Sequence, residues 1–219
     1  MTRAGAERPR LASLAELLGL GLAWYLRLVA RTARISGDVT DDQVVLAFWH
    51  EFNLSCFVVA LARRSHLKHA SFSTRGFRGV VITELIRRSG REVRVLPLPP
   101  EGDRAAGRTF ALRLAALGQG GYSLTVTPDG PFGPARTAKP GALIVAREAR
   151  LPIQTWAASV RPALRLTARW DRQLVPLPFS RIRVSSGPRV EVAARERLAP
   201  RLADLQRALD DATAQAERR

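Results

Sequence analysis

Tyr122-Ser-Leu-Thr-Val126 runs straight into Thr127-Pro-Asp-Gly-Pro-Phe-Gly-Pro-Ala-Arg-Thr-Ala-Lys-Pro-Gly141, and an alanine-rich segment of helical pattern, Ala142–Ala149, leads out. From Thr125 to Gly141 there are three glycines and four prolines (Pro128, Pro131, Pro134, Pro140) around one carboxylate and two cations. Proline locks φ and removes a backbone donor, while glycine admits conformations closed to other residues. The loop is therefore stiff, and it aims Asp129, Arg136, Lys139 and its own N–H groups in a set arrangement. A strand, a loop and a helix in that order form the unit of an α/β fold with a mostly parallel central sheet flanked by helices. In such folds ligands bind at the carboxyl ends of strands, and this loop suits an anionic group.

The rest of the chain repeats the alternation. Gln43–Trp49 is a near-continuous apolar run of strand length, as expected for a strand buried on both faces. It ends in Phe48-Trp49-His50-Glu51, after which Asn53 is expected to cap a helix reaching about Leu61. Cys56 falls inside that helix as a small core residue. His69–Ser73, Glu92–Leu96 and Pro152–Val160 read as further strands, with helices over Phe77–Arg88 and Arg104–Leu117. Leu164–Ala168 and Arg181–Ser185 read as two shorter, later strands, and Leu198–Ala216 as an amphipathic terminal helix. Residues 1–35 thus form an N-terminal amphipathic or membrane-anchoring helix, 36–195 the α/β domain, and 196–219 a terminal helix with a polar tail.

Leu11–Val29 is the most apolar N-terminal segment, near the roughly 20 residues that a spanning helix needs. Glu16, Arg27, Gly19 and Gly21 interrupt it, and Trp24-Tyr25 beside Arg27, Arg31 and Arg34 suits a helix lying in the interface of an anionic leaflet. Packing of the same helix on the domain fits the pattern equally.

The chain has 219 residues and a net charge of +16, and all its basic residues except Lys68 and Lys139 are arginine. That charge favours a polyanionic partner, whether nucleic acid, membrane or phosphorylated substrate. The arginines are spread through helices and strands without aromatic platforms or a recognition motif, so no nucleic acid is expected. One cysteine excludes a disulfide framework, and His50, His66 and His69 are too scattered for a zinc cluster, so no metal is expected. His50 stands at a strand's carboxyl end between Trp49 and the nearby Phe52, partly desolvated and available as a general base. Nucleophile-elbow, Walker and dinucleotide fingerprints are all missing.

Phe48-Trp49-His50, Val126-Thr127-Pro128-Asp129-Gly130-Pro131-Phe132-Gly133-Pro134, Lys139-Pro140-Gly141, Ala146-Arg147, Trp170-Asp171-Arg172 and Pro178-Phe179-Ser180-Arg181 together resemble a bacterial branch of the lysophospholipid and glycerol-phosphate acyltransferase superfamily. The resemblance runs in order from about Trp24 to Val192. It implies transfer of a fatty acyl group from a thioester of coenzyme A or an acidic acyl carrier protein to a hydroxyl of a lysophospholipid or related glycolipid. It also implies a place at the cytoplasmic face of the inner membrane, peripheral or singly anchored, with anionic lipids as partners and no cofactor. His50 then matches the catalytic histidine, with Asp129 as a second catalytic residue, while Thr127, Gly130, Arg136 and Lys139 contact the substrate, the two cations holding an acceptor phosphate.

Three positions depart from that pattern. The superfamily places an acid five residues after the histidine, where this chain has Ser55; Arg78-Gly79-Val80 replaces an Asp-Gly-Glu, and Pro97-Leu98-Pro99-Pro100 a serine-rich segment. Loss of the orienting acid costs about four orders of magnitude in kcat in a serine-protease triad. Glu51, Glu84 and Asp129 are the carboxylates that can take its place in space. The alternative is a catalytically weakened member that binds anionic lipid without turnover.

Overall fold

A computed structural model describes residues 7–63, 68–90, 92–100 and 102–218, the side chains of residues 7–13 and 104 excepted; His66 lies outside them. In chain order the elements are α1 (Glu7–Thr32), β1 (Arg34–Ser36), β2 (Val45–Ala47), a single 3-10 turn (His50–Phe52), α2 (Asn53–Arg63), β3 (Lys68–Ser73), α3 (Gly76–Arg87), β4 (Val93–Pro97), α4 (Arg104–Gln119), β5 (Tyr122–Val126), α5 (Gly141–Ala149), β6 (Ile153–Arg165), β7 (Leu174–Val190) and α6 (Leu198–Arg218).

The strands form one seven-stranded sheet in the order β1-β7-β6-β2-β5-β3-β4. β6, β2, β5, β3 and β4 run parallel, β7 pairs antiparallel with β6, and β1 is parallel to β7. The chain moves outward from β2 through β3 to β4, then reverses through β5 to β6. Right-handed crossovers place the helices of those two halves on opposite faces. Accordingly α1 packs on α2 and α3, whereas α5 packs on α4 and α6. Both central strands are buried from both sides, which explains the near-continuous apolar runs that encode them.

α1 carries two apolar stripes. Ala15, Gly19, Ala23, Leu26 and Val29 recur at spacings of three and four and are buried on the domain. Leu14, Leu17, Gly21, Trp24 and Leu28 recur on the opposite side and are exposed. The helix therefore packs on the domain, one of the two expected arrangements, and still presents an apolar face outward.

Two sequence expectations are corrected. Asn53 is in helical conformation behind the 3-10 turn, so it does not cap α2. The two short late strands belong to one long hairpin: Leu164 lies in β6 and Arg181–Ser185 in β7. Prolines at 162, 176, 178 and 188 disguised its length, and the register shifts beside Pro162, where a missing donor forces an irregularity.

Gly19 and Gly21 test the packing of α1. A Cβ on Gly19 would stand 2.7 Å from Glu84 Cβ and 2.8 Å from the Val81 carbonyl of α3, while one on Gly21 meets nothing within 4 Å. Both alanines gain up to about 1 kcal/mol of helix propensity. Gly21→Ala is expected to keep that gain, and Gly19→Ala to lose about 1–3 kcal/mol through overpacking. Urea midpoints of the two variants measure this, and equal midpoints would refute close contact of α1 with α3.

Candidate active site

The site is assembled by strand register. Ala47 of β2 pairs with Val126 of β5, so the chain leaves two adjacent parallel strands side by side. Three residues beyond each pairing partner stand His50 and Asp129. Asp129 is 1 % exposed. Its carboxylate accepts hydrogen bonds from His50 Nδ1 at 2.8 Å, from the His50 backbone N–H at 3.2 Å and from the Arg136 backbone N–H at 3.2 Å. Such a carboxylate is stable in the interior only because each oxygen is met by donors. With Asp129 accepting the Nδ1 hydrogen, Nε2 of a neutral His50 carries the lone pair, and Thr127 Oγ1 lies 3.2 Å from it. Gly130 closes the ring edge between the two nitrogens, where a Cβ would sit 1.9 Å from His50 Cε1.

His50, Thr127, Asp129 and Gly130 thus come together. Arg136 and Lys139 stand behind them and hold the loop: Arg136 Nε donates to Glu51 at 2.5 Å and Nη2 to Glu217 of α6 at 3.3 Å. Lys139 Nζ reaches the Gly130 carbonyl at 3.3 Å, and its backbone N–H reaches that of Pro128 at 2.9 Å. Glu51 is buried, with its second oxygen on Arg165 at 2.9 Å, and Glu84 pairs with Arg87 and Arg88 on α3. Of the three carboxylates able to replace the acid at position 55, Asp129 is therefore the one that reaches the imidazole. Ser55 is buried with no hydrogen-bond partner among the described residues.

The tip of the β6–β7 hairpin completes the site. Trp170 meets the His50 ring edge-on, centroids 5.0 Å apart at 62°. Asp171 is buried and gripped bidentately by Arg169 at 2.8 and 2.7 Å. Burial opposes its charge, yet the Arg169 hydrogen bonds and the nearby His50 hold its carboxyl below the usual carboxylate range. In the sequence Trp170-Asp171 stands out only as part of a motif, with no role indicated for either residue; their arrival at His50 depends on a hairpin whose length the prolines conceal. Among the described residues no cluster is placed to hold a metal ion.

A cavity of about 560 Å³ opens beside His50. Alternate residues of the sheet floor it, Val44, Leu46 and Phe48 beside Ser123, Thr125 and Thr127, and α2 and α3 roof it with Phe57, Ala60, Ile82 and Leu85. From Val44 to His50 the extended chain covers roughly 20 Å. The roughly 15 Å half-thickness of a bilayer's hydrocarbon core is shorter. The space suits one long aliphatic chain whose polar end lies at the imidazole.

The hydrogen-bond pattern makes a direct expectation. Nitrogen-detected spectra of the uncharged His50 ring should show it protonated at Nδ1, and Asp129→Asn should erase that tautomer preference. A predominantly Nε2-protonated ring in the unsubstituted protein would refute the assignment.

No family model matches the chain. Over 193 residues it is 27% identical to an uncharacterised protein of Rickettsia prowazekii (strain Madrid E), an alignment covering 83% of this chain and 84% of the relative. Among solved structures, the 1-acyl-sn-glycerophosphate (LPA) acyltransferase PlsC of Thermotoga maritima aligns over 96% of this chain and 83% of its own, with 16% identity and a TM-score of 0.49.

Proposed function

We propose that the protein transfers a fatty acyl group from an acyl thioester to a hydroxyl of a lysophospholipid or related glycolipid, with His50 as general base. The observation that carries this reading is the Asp129–His50 contact of 2.8 Å at the end of a long apolar cavity. Asp129 fixes the tautomer and stabilises the imidazolium that forms. Nε2 takes the proton of the attacking hydroxyl, and the same proton is then available to the departing thiolate. The apolar walls hold the acyl chain and exclude water from the thioester. Cations lining the cavity, Arg78 and Arg169, offer positive charge to an acceptor phosphate, while Arg136 and Lys139 brace the loop, one through its carboxylate partners and the other through the Gly130 carbonyl. The Asp129 contact favours turnover over lipid binding alone, because an orienting carboxylate serves catalysis and adds nothing to holding a lipid.

In this reading donor and acceptor meet at the cytoplasmic face of the inner membrane, the donor being acyl coenzyme A or an acyl carrier protein. Among the described residues no helix is long and apolar enough to cross a membrane. The exposed stripe of α1 suits an interfacial position instead. Phe179, 76% exposed, extends that stripe: its backbone N–H donates to Thr32 Oγ1 at the end of α1. Its φ of 64° is a conformation that bulky residues rarely adopt.

Three measurements test this. His50→Ala should lower acyl transfer from palmitoyl coenzyme A to lysophosphatidic acid by about 10²–10⁴ while leaving the melting temperature nearly unchanged, because both backbone donors to Asp129 remain. Full activity in the variant would remove His50 from the chemistry. Ala60 lies on α2 about 10 Å along the helix from Asn53, so Ala60→Phe should abolish transfer of long chains and spare short ones. Unchanged chain-length preference would show that the chain lies elsewhere. Trp24→Ser with Leu28→Ser should weaken binding to phosphatidylglycerol vesicles without lowering the melting temperature, since both side chains are exposed. Equal vesicle binding would place the attachment on another face.

A further inference from the structure

Building on the reading of His50 as base, we propose that Thr127 is a nucleophile, that acyl transfer passes through a threonyl ester, and that the protein hydrolyses acyl thioesters when no acceptor is bound. Thr127 Oγ1 lies 3.2 Å from His50 Nε2, and His50 Nδ1 lies 2.8 Å from Asp129 Oδ1. Hydroxyl, imidazole and carboxylate form one continuous chain. A side-chain hydroxyl is activated by this arrangement, with a base in hydrogen-bond reach and a third group orienting the base.

Two features make the contact more than incidental. Thr127 and Asp129 come from a single strand end and bracket both nitrogens of one ring, with Gly130 against the carbon between them. Because Asp129 takes the Nδ1 hydrogen, the Thr127 hydroxyl is the donor and Nε2 the acceptor, as proton abstraction from Thr127 requires. An acceptor hydroxyl that used Nε2 directly would first have to displace this hydrogen bond. Thr127 is also the last floor residue in the row Ser123, Thr125, Thr127, at the His50 end of the cavity. The carbonyl carbon of an acyl chain lying along that floor arrives beside Oγ1.

The steps balance without redox chemistry. Oγ1 attacks the thioester carbonyl and its proton passes to Nε2; the C–S bond breaks and the thiolate takes that proton, leaving the threonyl ester and a free thiol. The acceptor hydroxyl, or water in its absence, then attacks the ester carbonyl and gives its proton to Nε2. The C–Oγ1 bond breaks, Oγ1 recovers the proton, and the product is the acceptor's ester or the free fatty acid. Cys56 lines the same cavity, but burial pushes its thiol up to about 12, so it stays protonated and unreactive.

The test uses the full-length protein and palmitoyl coenzyme A without acceptor. Coenzyme A should appear in a burst equal to the enzyme, followed by slower release, and mass spectrometry should find palmitate on Thr127. The adduct should resist neutral hydroxylamine, which cleaves a thioester on Cys56. Thr127→Val should lose the adduct and at least a hundredfold of transfer at an unchanged melting temperature, and Thr127→Ser should restore both to within about tenfold. Transfer by Thr127→Val at the unsubstituted rate, with no adduct on the unsubstituted protein, would overturn the nucleophile and leave His50 acting directly on the acceptor. Loss of the fold in Thr127→Val passes the decision to Thr127→Ser, whose failure to form an ester would equally overturn it. If His50→Ala keeps both transfer and adduct, the underlying reading of His50 fails instead.

Discussion

Parallel pairing of β2 with β5 sets Ala47 opposite Val126, and that register carries His50 to Asp129 three residues further on. A one-residue slip would exchange the cavity-facing row Val44, Leu46 and Phe48 with the row Val45, Ala47 and Trp49 that is buried on the other face, so packing on both faces of the sheet enforces it. Two neighbouring central strands of the sheet thereby also align the imidazole. The His50–Asp129 contact thus rests on paired strands of the central sheet and lies just beyond their ends.

Rigidity continues into the loop. Pro128 and Pro131 restrict the backbone on either side of Asp129, and three donors hold its carboxylate. Behind it a second layer of charge, Glu51 with Arg136, Arg165 and Glu217, ties the loop to the β6–β7 hairpin and to α6. The arginines of this layer are partly solvated, so its worth lies less in stability than in fixing where the loop sits. The terminal helix is in this sense part of the site.

The cavity and α1 complete a division between apolar and polar space. An apolar groove runs under α2 and α3, and the hydrogen-bonded His50 imidazole and Thr127 hydroxyl lie in its wall. α1 buries one stripe on the domain and leaves a second outside, an arrangement that costs solubility unless a lipid surface covers it.

By itself the sequence determined the alternating α/β architecture, the apolar strands that lead toward His50 and to Val126, the stiff loop between Val126 and Gly141, and the apolar N-terminal helix. Those features are local: periodicity, proline and glycine act on the few residues around them. The tertiary structure decided which carboxylate meets His50, since Asp129 lies 79 residues away and Glu51 only one. It turned Arg136 toward Glu51 and Glu217, made two apparent strands into one hairpin, and delivered Trp170 and Asp171 to the imidazole. Each of these depends on strand order and register, which are settled by competition among many distant apolar faces for one core, and no local stretch of sequence contains that outcome.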